Sequence, residues 1–399
     1  MTTQRNTKEF IAMIALLTAL GALAIDSILP AMGVMSQEFG VGVDRRHFLI
    51  SALIFGMSIG QLIYGPLADS HGRKPSLFLG LSIFLLGSVL ALFSANFTMI
   101  IIARFLQGLG VASSRVVTGA IIRDSYSGAA MAQIMSFSMS VFILVPIIAP
   151  ALGQGILVWA SWRYIFAFMI LIGILAAIWF GLLQEETLTK EKKQELSLKK
   201  YFQALKTVIS NRQTIGFTMA SGTVFGGFLG YLTVIQSVFD DIYHLGNKFA
   251  LYFGILAFVF GFAFILNAKM VMRFSMVNIS KFAVWGVLIF SINFYGFFTF
   301  GSEISVNLLT VLLAPIFFCV ALVFGNLNAL AMVPMGQIAG SASSLIGSIS
   351  TFISVPVGAW VGSNFDNTLW SLSVGFLVTA PLSLALVYWA SYQADESKT

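Results

Sequence analysis

The sequence predicts an all-α membrane protein with twelve transmembrane helices arranged as two bundles of six. Three observations predict this class: 58% of the 399 residues are hydrophobic, only 10% are charged, and the apolar residues form long runs separated by short polar segments. About a quarter of the residues of a soluble domain are charged, so this chain could not keep its surface in water. A helix needs about 20 apolar residues to cross a bilayer core, and these runs are long enough.

Twelve such runs divide into two groups around one long polar stretch. The first six are residues 11–34, 48–68, 76–95, 98–121, 132–158 and 163–183. The second six are residues 213–239, 249–270, 280–300, 305–325, 337–362 and 368–390. We therefore expect an N-terminal bundle at residues 1–183, a cytoplasmic linker at 184–212 and a C-terminal bundle at 213–399. This plan is typical of transporters in which one bundle rocks against the other.

The basic residues predict the orientation of the chain in the membrane. Twelve spans place both termini on one side, and that side holds 16 of the 22 Lys and Arg residues, seven of them between Lys190 and Arg212. The opposite side holds four, and the other two lie inside the fourth span. Cytoplasmic loops hold the excess of Lys and Arg, so we expect both termini in the cytoplasm. This topology accounts for the net charge of +6 without a nucleic-acid partner.

The composition argues against several kinds of site. Cys319 is the single cysteine and excludes an internal disulfide, and the three histidines lie far apart, at His47, His71 and His244. We expect no metal site and no cofactor. A membrane enzyme or a non-transporting receptor is the alternative from another class, but the external pair Asp240 and Asp241 has only His244 nearby. The sequence has no Gly-Lys-Ser or Gly-Lys-Thr phosphate-binding loop, so we expect an ion gradient to drive transport.

One acidic residue differs from the other 15 in its position. Only Asp26 lies well inside an apolar run. An ionised carboxylate is costly in lipid, so such a group faces a wet cavity, pairs with a cation or binds a proton. A carboxylate whose cation or solvent exposure changes between two conformations can bind and release a proton. Asp26 is therefore the candidate proton-coupling residue.

Arg104 is the cation expected at a similar depth. At 1.5 Å per residue, Asp26 would lie roughly 12 Å and Arg104 roughly 9 Å below the external face. The two side chains could meet, either as a coupling device or as a static ion pair that holds two helices together. Arg115 lies three turns further along the same span, where it could face the same cavity or extend to the interface.

A substrate cavity would be lined by the first, fourth, seventh and tenth spans. Its candidate aromatic and polar residues, besides Asp26, Arg104 and Arg115, are Tyr231, Gln236, Phe317 and Phe318. Two arginines and one aspartate would make the cavity net positive, which favours neutral, zwitterionic or anionic substrates over cations. Most of the 38 Phe side chains are expected to contact lipid or neighbouring helices.

The end of the second span carries a family motif. It reads Gly65-Pro66-Leu67-Ala68-Asp69-Ser70-His71-Gly72-Arg73-Lys74-Pro75, which resembles the loop signature of the major facilitator superfamily. The resemblance implies that Gly65, Asp69, Gly72 and Arg73 form a cytoplasmic gating motif. A tight turn needs its glycines, and Asp69 would lie against the positive end of a helix that begins near Gln337, in the eleventh span.

Three further stretches are similar to the Bcr/CflA drug:proton antiporters of that superfamily. They are Asp26-Ser27-Ile28-Leu29-Pro30, Arg104-Phe105-Leu106-Gln107-Gly108 and Ala149-Pro150-Ala151-Leu152-Gly153. The resemblance covers most of the first half and implies that Asp26 takes part in proton coupling and Arg104 in proton transfer. It also implies that Pro150 and Gly153 form the antiporter motif of the fifth span. Ala149 and Gln154 depart from that motif, which has a glycine before the proline and a glycine pair after it.

The resemblance implies a proton-coupled secondary transporter in a bacterial inner membrane, and we expect a monomer. It would export amphiphilic small molecules, either drugs or an endogenous metabolite such as a siderophore, by alternating access. Its expected partners are the substrate, protons and the lipid bilayer. A proton symporter that imports a peptide-like or anionic nutrient is the alternative within transport. Only the resemblance favours the proton over sodium, since a carboxylate can bind either ion.

Overall fold

The computed structural model describes residues 7–126, 128–189, 193, 197–301 and 303–396, and within these ranges it is helical, with no β-strand. Four basic residues that contributed to the predicted orientation, Arg5, Lys190, Lys192 and Lys398, lie outside the described residues.

The α-helices of the first half are α1 (Thr7–Asp26), α2 (Met32–Glu38), α3 (Phe48–His71), α4 (Arg73–Leu92), α5 (Phe97–Ser125), α6 (Gly128–Trp159) and α7 (Arg163–Leu183). Those of the second half are α8 (Leu198–Ser210), α9 (Arg212–Ser237), α10 (Phe249–Met270), α11 (Met276–Phe300), α12 (Val306–Met332), α13 (Ala339–Ser363) and α14 (Trp370–Glu396).

The predicted all-α architecture with twelve spans is confirmed. Ten stretches of described residues are long and apolar enough to cross a membrane. One of them, Val306–Ser363, contains both α12 and α13, and α6, whose apolar part Leu144–Trp159 is shorter, completes the twelve. The predicted bounds of the sixth and eighth spans coincide with α7 and α10.

Polar residues at the predicted loops define where several helices begin. The Asn96 side chain accepts a hydrogen bond from the Met99 N–H at the start of α5, at 2.9 Å. Asn211 caps α9 in the same way through the Thr214 N–H, also at 2.9 Å. Ser275 is the equivalent cap of α11. Such side chains satisfy N–H groups that have no partner within the helix, and this fixes the starting residue.

The first predicted span, residues 11–34, is not one continuous helix. α1 ends at Asp26, a 3₁₀ turn follows at Leu29–Ala31, and α2 begins at Met32. Pro30 explains the interruption, because proline has no N–H to donate and its ring collides with the preceding helical turn. The predicted span lies within the apolar stretch Lys8–Glu38, and the interruption inside it was not predicted.

The polar stretch predicted as a linker contains a helix of its own, α8. Ala204 and Val208 are buried on one side of it, whereas Lys199, Lys206 and Phe202 are exposed. A helix with a basic polar face and a separate apolar face is typical of segments that lie in the membrane interface.

The described residues pack as two units. The first unit combines the residues up to Ala31 with Ala52–Leu198, and the second combines Met32–Ser51 with the residues from Lys199 onward. The segment 32–51, which the sequence assigned to the N-terminal bundle, therefore packs in the second unit. The role of residues 184–212 as a separate linker between two bundles stays a prediction.

Glycines allow close helix approaches inside each unit. A Cβ atom at Gly56 of α3 would meet the backbone N of Leu109 in α5 at 2.8 Å. A Cβ at Gly222 would meet the Ser350 carbonyl oxygen at 2.7 Å, and α9 packs along α13 through this glycine face. Helices in a bilayer associate through such small faces, because backbones that approach closely gain van der Waals contact.

Candidate functional site

Asp26 lies at the interruption of the first span. It is the last residue of α1, and its side chain is only 4% exposed. Within the ranges that the structure describes, no salt bridge reaches its carboxylate. Interrupted helices form the ion and substrate sites of many transporters, because backbone groups at the break are available for binding. Asp26 therefore combines a buried carboxylate with the kind of backbone geometry that transport sites use.

Arg104 reaches the end of α1 from α5. Its guanidinium is fully buried, and Nη2 donates a 2.7 Å hydrogen bond to the carbonyl oxygen of Ala24. The last carbonyls of a helix have no partner within it and carry partial negative charge, so they suit an arginine. The structure thus places Arg104 beside Asp26, but Arg104 bonds the backbone two residues earlier, and the ion pair that the sequence suggested is not formed.

The Arg104 side chain is held in place by a second polar residue. Nη1 donates to Gln107 Oε1 at 2.8 Å, and Gln107 Nε2 donates to Ser88 Oγ at 2.8 Å. Gln107 belongs to α5 and Ser88 to α4, and all three side chains are buried. A buried network whose groups are all bonded is rigid, because breaking any bond leaves an unsatisfied polar group.

The antiporter motif of α6 contacts the same interruption. A Cβ atom at Gly153 would overlap the carbonyl oxygen of Ser27 and would lie 3.2 Å from Pro30 Cγ. Gly153 therefore lets α6 approach the residue that directly follows Asp26. Pro150 lies inside α6, one turn earlier, and is buried. The structure brings Asp26, Arg104 and Gly153 together around one short backbone segment.

Arg115 is set apart from this group. It lies on α5 three turns beyond Arg104, and its side chain is exposed. In the part of the chain that the structure describes, no salt bridge includes Arg115. The exposed side chain is compatible with both positions that the sequence left open, in a cavity or reaching toward the interface.

The gating motif lies at the opposite end of the first unit, where α3 ends and α4 begins. Gly65 is buried in α3, and Asp69 is in its last turn. Arg73 forms a salt bridge with Asp69 and another, of 2.9 Å, with Asp124 at the end of α5. One buried guanidinium thus joins the ends of three helices. The predicted contact of Asp69 with the start of the eleventh span stays a prediction.

Gly72 and Glu186 complete this cluster. Gly72 has φ +119°, which favours glycine, and a Cβ there would lie 2.5 Å from the Glu186 carboxylate. That carboxylate accepts hydrogen bonds from the backbone N–H groups of Arg73, at 2.9 Å, and Lys74, at 3.0 Å. The segment after α7 therefore caps α4 with a negative charge, which the helix dipole favours.

The predicted cavity residues of the second unit separate into two groups. Tyr231 and Phe317 are buried with their ring centroids 4.6 Å apart, edge to face. The rings of Phe228 and Phe260 lie within 6.4 Å of Phe317 and form one aromatic cluster with it. Phe318 is half-buried on the same helix, α12. These residues can offer ring faces to an aromatic ligand where they are accessible.

Gln236 belongs to a different, polar group. Its Oε1 accepts from Arg46 Nη1 at 3.4 Å, and the same nitrogen forms a 2.6 Å salt bridge with Asp241 Oδ2. Ser237 and Ser36 also accept hydrogen bonds from the Arg46 guanidinium, at 3.0 and 2.8 Å. Arg46 thereby ties the segment 32–51 to the end of α9.

Sequence reasoning missed the roles of Arg46, Asp241, Asp124 and Glu186. No local spacing connects Asp124 or Glu186 with Arg73. The sequence places Asp241 in an acidic pair with Asp240 near His244. In the structure Asp241 binds Arg46, and the His244 ring faces the Asp240 backbone oxygen at 3.0 Å.

The chain is similar to several known proteins. A family model described as Major Facilitator Superfamily matches residues 14–359. An uncharacterized MFS-type transporter, YdgK of Bacillus subtilis, is 29% identical over 380 residues, which is 92% of each chain. A bicyclomycin resistance protein homolog of Haemophilus influenzae is 29% identical over 374 residues, 91% of each chain.

The fold is also similar to a solved structure. The crystal structure of a D-xylose-proton symporter matches with a TM-score of 0.67 at 16% identity, covering 94% of this chain and 97% of the symporter. At this identity the likeness concerns the fold alone. The resemblance inferred from the four motifs is confirmed by the matches to the superfamily and to a drug-resistance protein homolog.

Proposed function

The chain belongs to the Major Facilitator Superfamily, and on this premise we propose that it is a proton-coupled secondary transporter that exports amphiphilic small molecules by alternating access. Its substrates are drugs or an endogenous metabolite such as a siderophore. The family and the apolar spans make it a multi-pass membrane transporter. The direction of transport, which is export, and its coupling to protons are what we propose in addition.

The main support for this proposal comes from the surroundings of Asp26. The carboxylate is buried at a helix interruption, and the described residues give it no salt bridge. Such a group binds a proton in one conformation and releases it in another when its solvent exposure changes. Arg104 and Gly153 both contact the adjacent backbone. A shift of α5 or α6 against α1 would therefore alter the exposure of Asp26.

The charge cluster at the other end of the unit supports a gating role. The salt bridges of Arg73 with Asp69 and Asp124 hold the ends of α3, α4 and α5 together. The Glu186 carboxylate adds a hydrogen bond from the Arg73 N–H. A partly buried ion pair is either intact or broken, so small displacements of the helices that carry it do not produce intermediate states. We expect this cluster to rearrange when the cytoplasmic side opens and closes.

The charges within the spans support a substrate that is not a simple cation. Arg104 and Arg115 outnumber Asp26 in the first unit, so the local field favours neutral, zwitterionic or anionic groups. The aromatic cluster around Phe317 supports a partly apolar substrate. The name of the bicyclomycin resistance protein homolog supports export of a drug. The same charges would also suit an imported anionic nutrient, so the direction of transport requires a test.

Everted membrane vesicles test direction and charge preference together. Energised vesicles carrying the protein receive radiolabelled bicyclomycin, which is uncharged, or tetraphenylphosphonium, a lipophilic cation. Accumulation of bicyclomycin in everted vesicles, abolished by an uncoupler, is the result expected for a proton-driven exporter. Accumulation only in right-side-out vesicles would favour the import alternative, and equal transport of the cation would contradict the charge preference.

We also propose that the protein is a monomer in a bacterial inner membrane, with both termini in the cytoplasm. The relatives in Bacillus and Haemophilus support a bacterial membrane. Single cysteines introduced on a Cys319→Ser background would test the orientation. A cysteine at His244 should react with an impermeant thiol reagent added outside intact cells, whereas one at Lys206 should not.

A further inference from the structure

Side chains of α9 and α12 meet in three successive pairs that run along both helices. They are Ser221 with Asn328, Phe225 with Phe324, and Phe228 with Phe317. The first pair is a 3.4 Å hydrogen bond, and the ring centroids of the other two pairs lie 5.4 and 5.5 Å apart. Along each helix the members are three, four or seven residues apart, and residues at these spacings share one side of a helix. The six residues therefore form one surface, the α9–α12 strip, with aromatic rings along it and an amide at one end.

The α9–α12 strip is accessible over part of its length. Phe225, Phe228, Phe324 and Asn328 are half-buried, whereas Phe317 is only 2% exposed. The rings of Phe225 and Phe228 are stacked, with 5.9 Å between their centroids and 30° between their planes. Flat aromatic groups pack favourably against such rings in offset-stacked arrangements. Phe317 therefore supports the accessible rings from within the unit, and the half-buried residues offer the contact surface.

The accessible rings do not lie on the lipid-facing sides of their helices. On α12, Val311 is 66% exposed, and Ala329, about five turns further along, is also exposed. These two residues mark the lipid-facing side, and at about 100° per residue Phe324 lies roughly 140° away from it. On α9, Phe228 lies roughly 180° around the helix axis from the exposed residue Met219. The rings are therefore open to a solute on a side that does not contact acyl chains.

The two helices bring no charge to the strip. α9 has no Asp, Glu, Lys or Arg from Gln213 to Ser237, and α12 has none along its whole length. An ion would lose hydration here without a charged partner from either helix, so an uncharged ligand is favoured. Asn328 uses Nδ2 for both of its bonds, to Ser221 Oγ and, at 2.9 Å, to the Phe324 carbonyl oxygen. Among the described residues no donor reaches its Oδ1, which can accept a hydrogen bond from a ligand.

We propose that the α9–α12 strip binds an uncharged, flat aromatic compound that carries an N–H or O–H group. The aromatic part packs against Phe225, Phe228 and Phe324, and the N–H or O–H group donates a hydrogen bond to Asn328 Oδ1. Asn328 thereby distinguishes compounds that have a donor from compounds that lack one. This inference rests on the proposed function, because the bound compound is the transported substrate, and it narrows that substrate to one chemical class.

Fluorescence anisotropy with the purified full-length protein in detergent tests the proposal, with acridone and N-methylacridone as probes. Both compounds are uncharged, flat and fluorescent, and only acridone has an N–H group. Asn328→Leu is compared with Asn293→Leu, because Asn293 is exposed on α11 and its Nδ2 likewise donates to the carbonyl oxygen four residues earlier. We expect Asn328→Leu to weaken acridone binding about fivefold and to leave N-methylacridone binding unchanged. Asn293→Leu should change neither.

A second pair of variants tests the stacking contacts. Phe225→Leu removes an accessible ring of the strip. Phe262→Leu is the control, because Phe262 lies on α10, is 51% exposed and has no ring contact with a described residue. We expect Phe225→Leu to weaken the binding of both probes about fivefold and Phe262→Leu to weaken neither, since aromatic pairs contribute more than the burial of area.

The native protein provides a test that does not depend on the folding of a variant. Equal binding of acridone and N-methylacridone to the native protein, or no binding of acridone, would overturn the site. Equal losses of both probes in Asn328→Leu, or equal effects of Phe225→Leu and Phe262→Leu, would also overturn it. Binding in detergent requires neither export nor a proton gradient. A failure of these tests with intact uncoupler-sensitive transport would therefore refute the site alone, and the expected binding without such transport would contradict only the proposed function.

Discussion

The guanidinium of Arg104 donates a 2.7 Å hydrogen bond to the carbonyl oxygen of Ala24, in the last turn of α1. This bond connects the fourth span with the interruption at which Asp26 lies. The buried arginine therefore stabilises the helix end beside the carboxylate and does not pair with the carboxylate itself. Because of this bond, a movement of α5 would displace the end of α1, and a movement of α1 would displace Arg104.

Replacing Arg104 should destabilise the protein more than replacing Arg115 does. Arg104→Leu removes the bonds to Ala24 and Gln107 and leaves two buried acceptors unsatisfied, at a cost of about 1–3 kcal/mol each. Arg115→Leu removes the same charge from the same helix at an exposed position, so its effect should stay within about 0.5 kcal/mol. Thermal melting of the purified variants measures the difference. Equal melting temperatures would show that the Arg104 bonds do not stabilise the fold.

Gly153 should not tolerate a methyl group. Gly153→Ala would drive its Cβ into the Ser27 carbonyl oxygen, and such overpacking costs about 1–3 kcal/mol. Gly155→Ala is the matched control in the same helix, since nothing lies within 4 Å of a Cβ there. We expect a lower melting temperature and slower transport only for Gly153→Ala. A Gly153→Ala protein that behaves like Gly155→Ala would refute close contact between α6 and the interruption of α1.

Glu186 should stabilise the start of α4 through its carboxylate. Glu186→Ala removes the acceptor of the Arg73 and Lys74 N–H groups, and losing a helix cap costs about 1 kcal/mol. Glu185→Ala removes the neighbouring exposed carboxylate and should leave stability unchanged. Melting curves of the two variants make the comparison, and a larger loss for Glu185→Ala would contradict the assigned contacts.

Arg46 and Asp241 should show coupled effects on stability. Their 2.6 Å salt bridge joins residues 195 positions apart, and Arg46 is almost fully buried. A double-mutant cycle of Arg46→Ala and Asp241→Ala should give a coupling energy of about 1–3 kcal/mol, as expected for partners in one polar network. Arg45→Ala, an exposed neighbour, serves as the control and should show no coupling to Asp241→Ala.

The helices could be predicted from the sequence because the bilayer imposes their length. α7 and α10 have the predicted bounds because polar segments flank each helix, and Arg163 and Lys269 lie at membrane ends of these helices. The interruption after Asp26 was not predicted, although Pro30 is the local signal for it. A hydropathy pattern does not register such breaks when the flanking residues are apolar.

The site could be predicted only where the relevant residues are close in sequence. Asp69, Gly72 and Arg73 lie within one turn, so their motif is visible, whereas Asp124 and Glu186 join it through folding. Gln236 is predicted to line the cavity with Tyr231, and in the structure it also binds Arg46 and Asp240. Its contact with Arg46, 190 positions away, depends on packing of the segment 32–51, which no local pattern encodes.

The central claim is that Asp26 carries the coupled proton, and substrate-induced pH change in proteoliposomes tests it most directly. Purified native protein, Asp26→Asn and Asp366→Asn are reconstituted with a proton gradient, and a panel of amphiphilic compounds is added. Asp366 is an exposed carboxylate in the loop before α14 and controls for loss of one negative charge. We predict proton movement in the native protein and in Asp366→Asn but none in Asp26→Asn. An unchanged response in Asp26→Asn would contradict the account and reduce Asp26 to a structural residue of the first span.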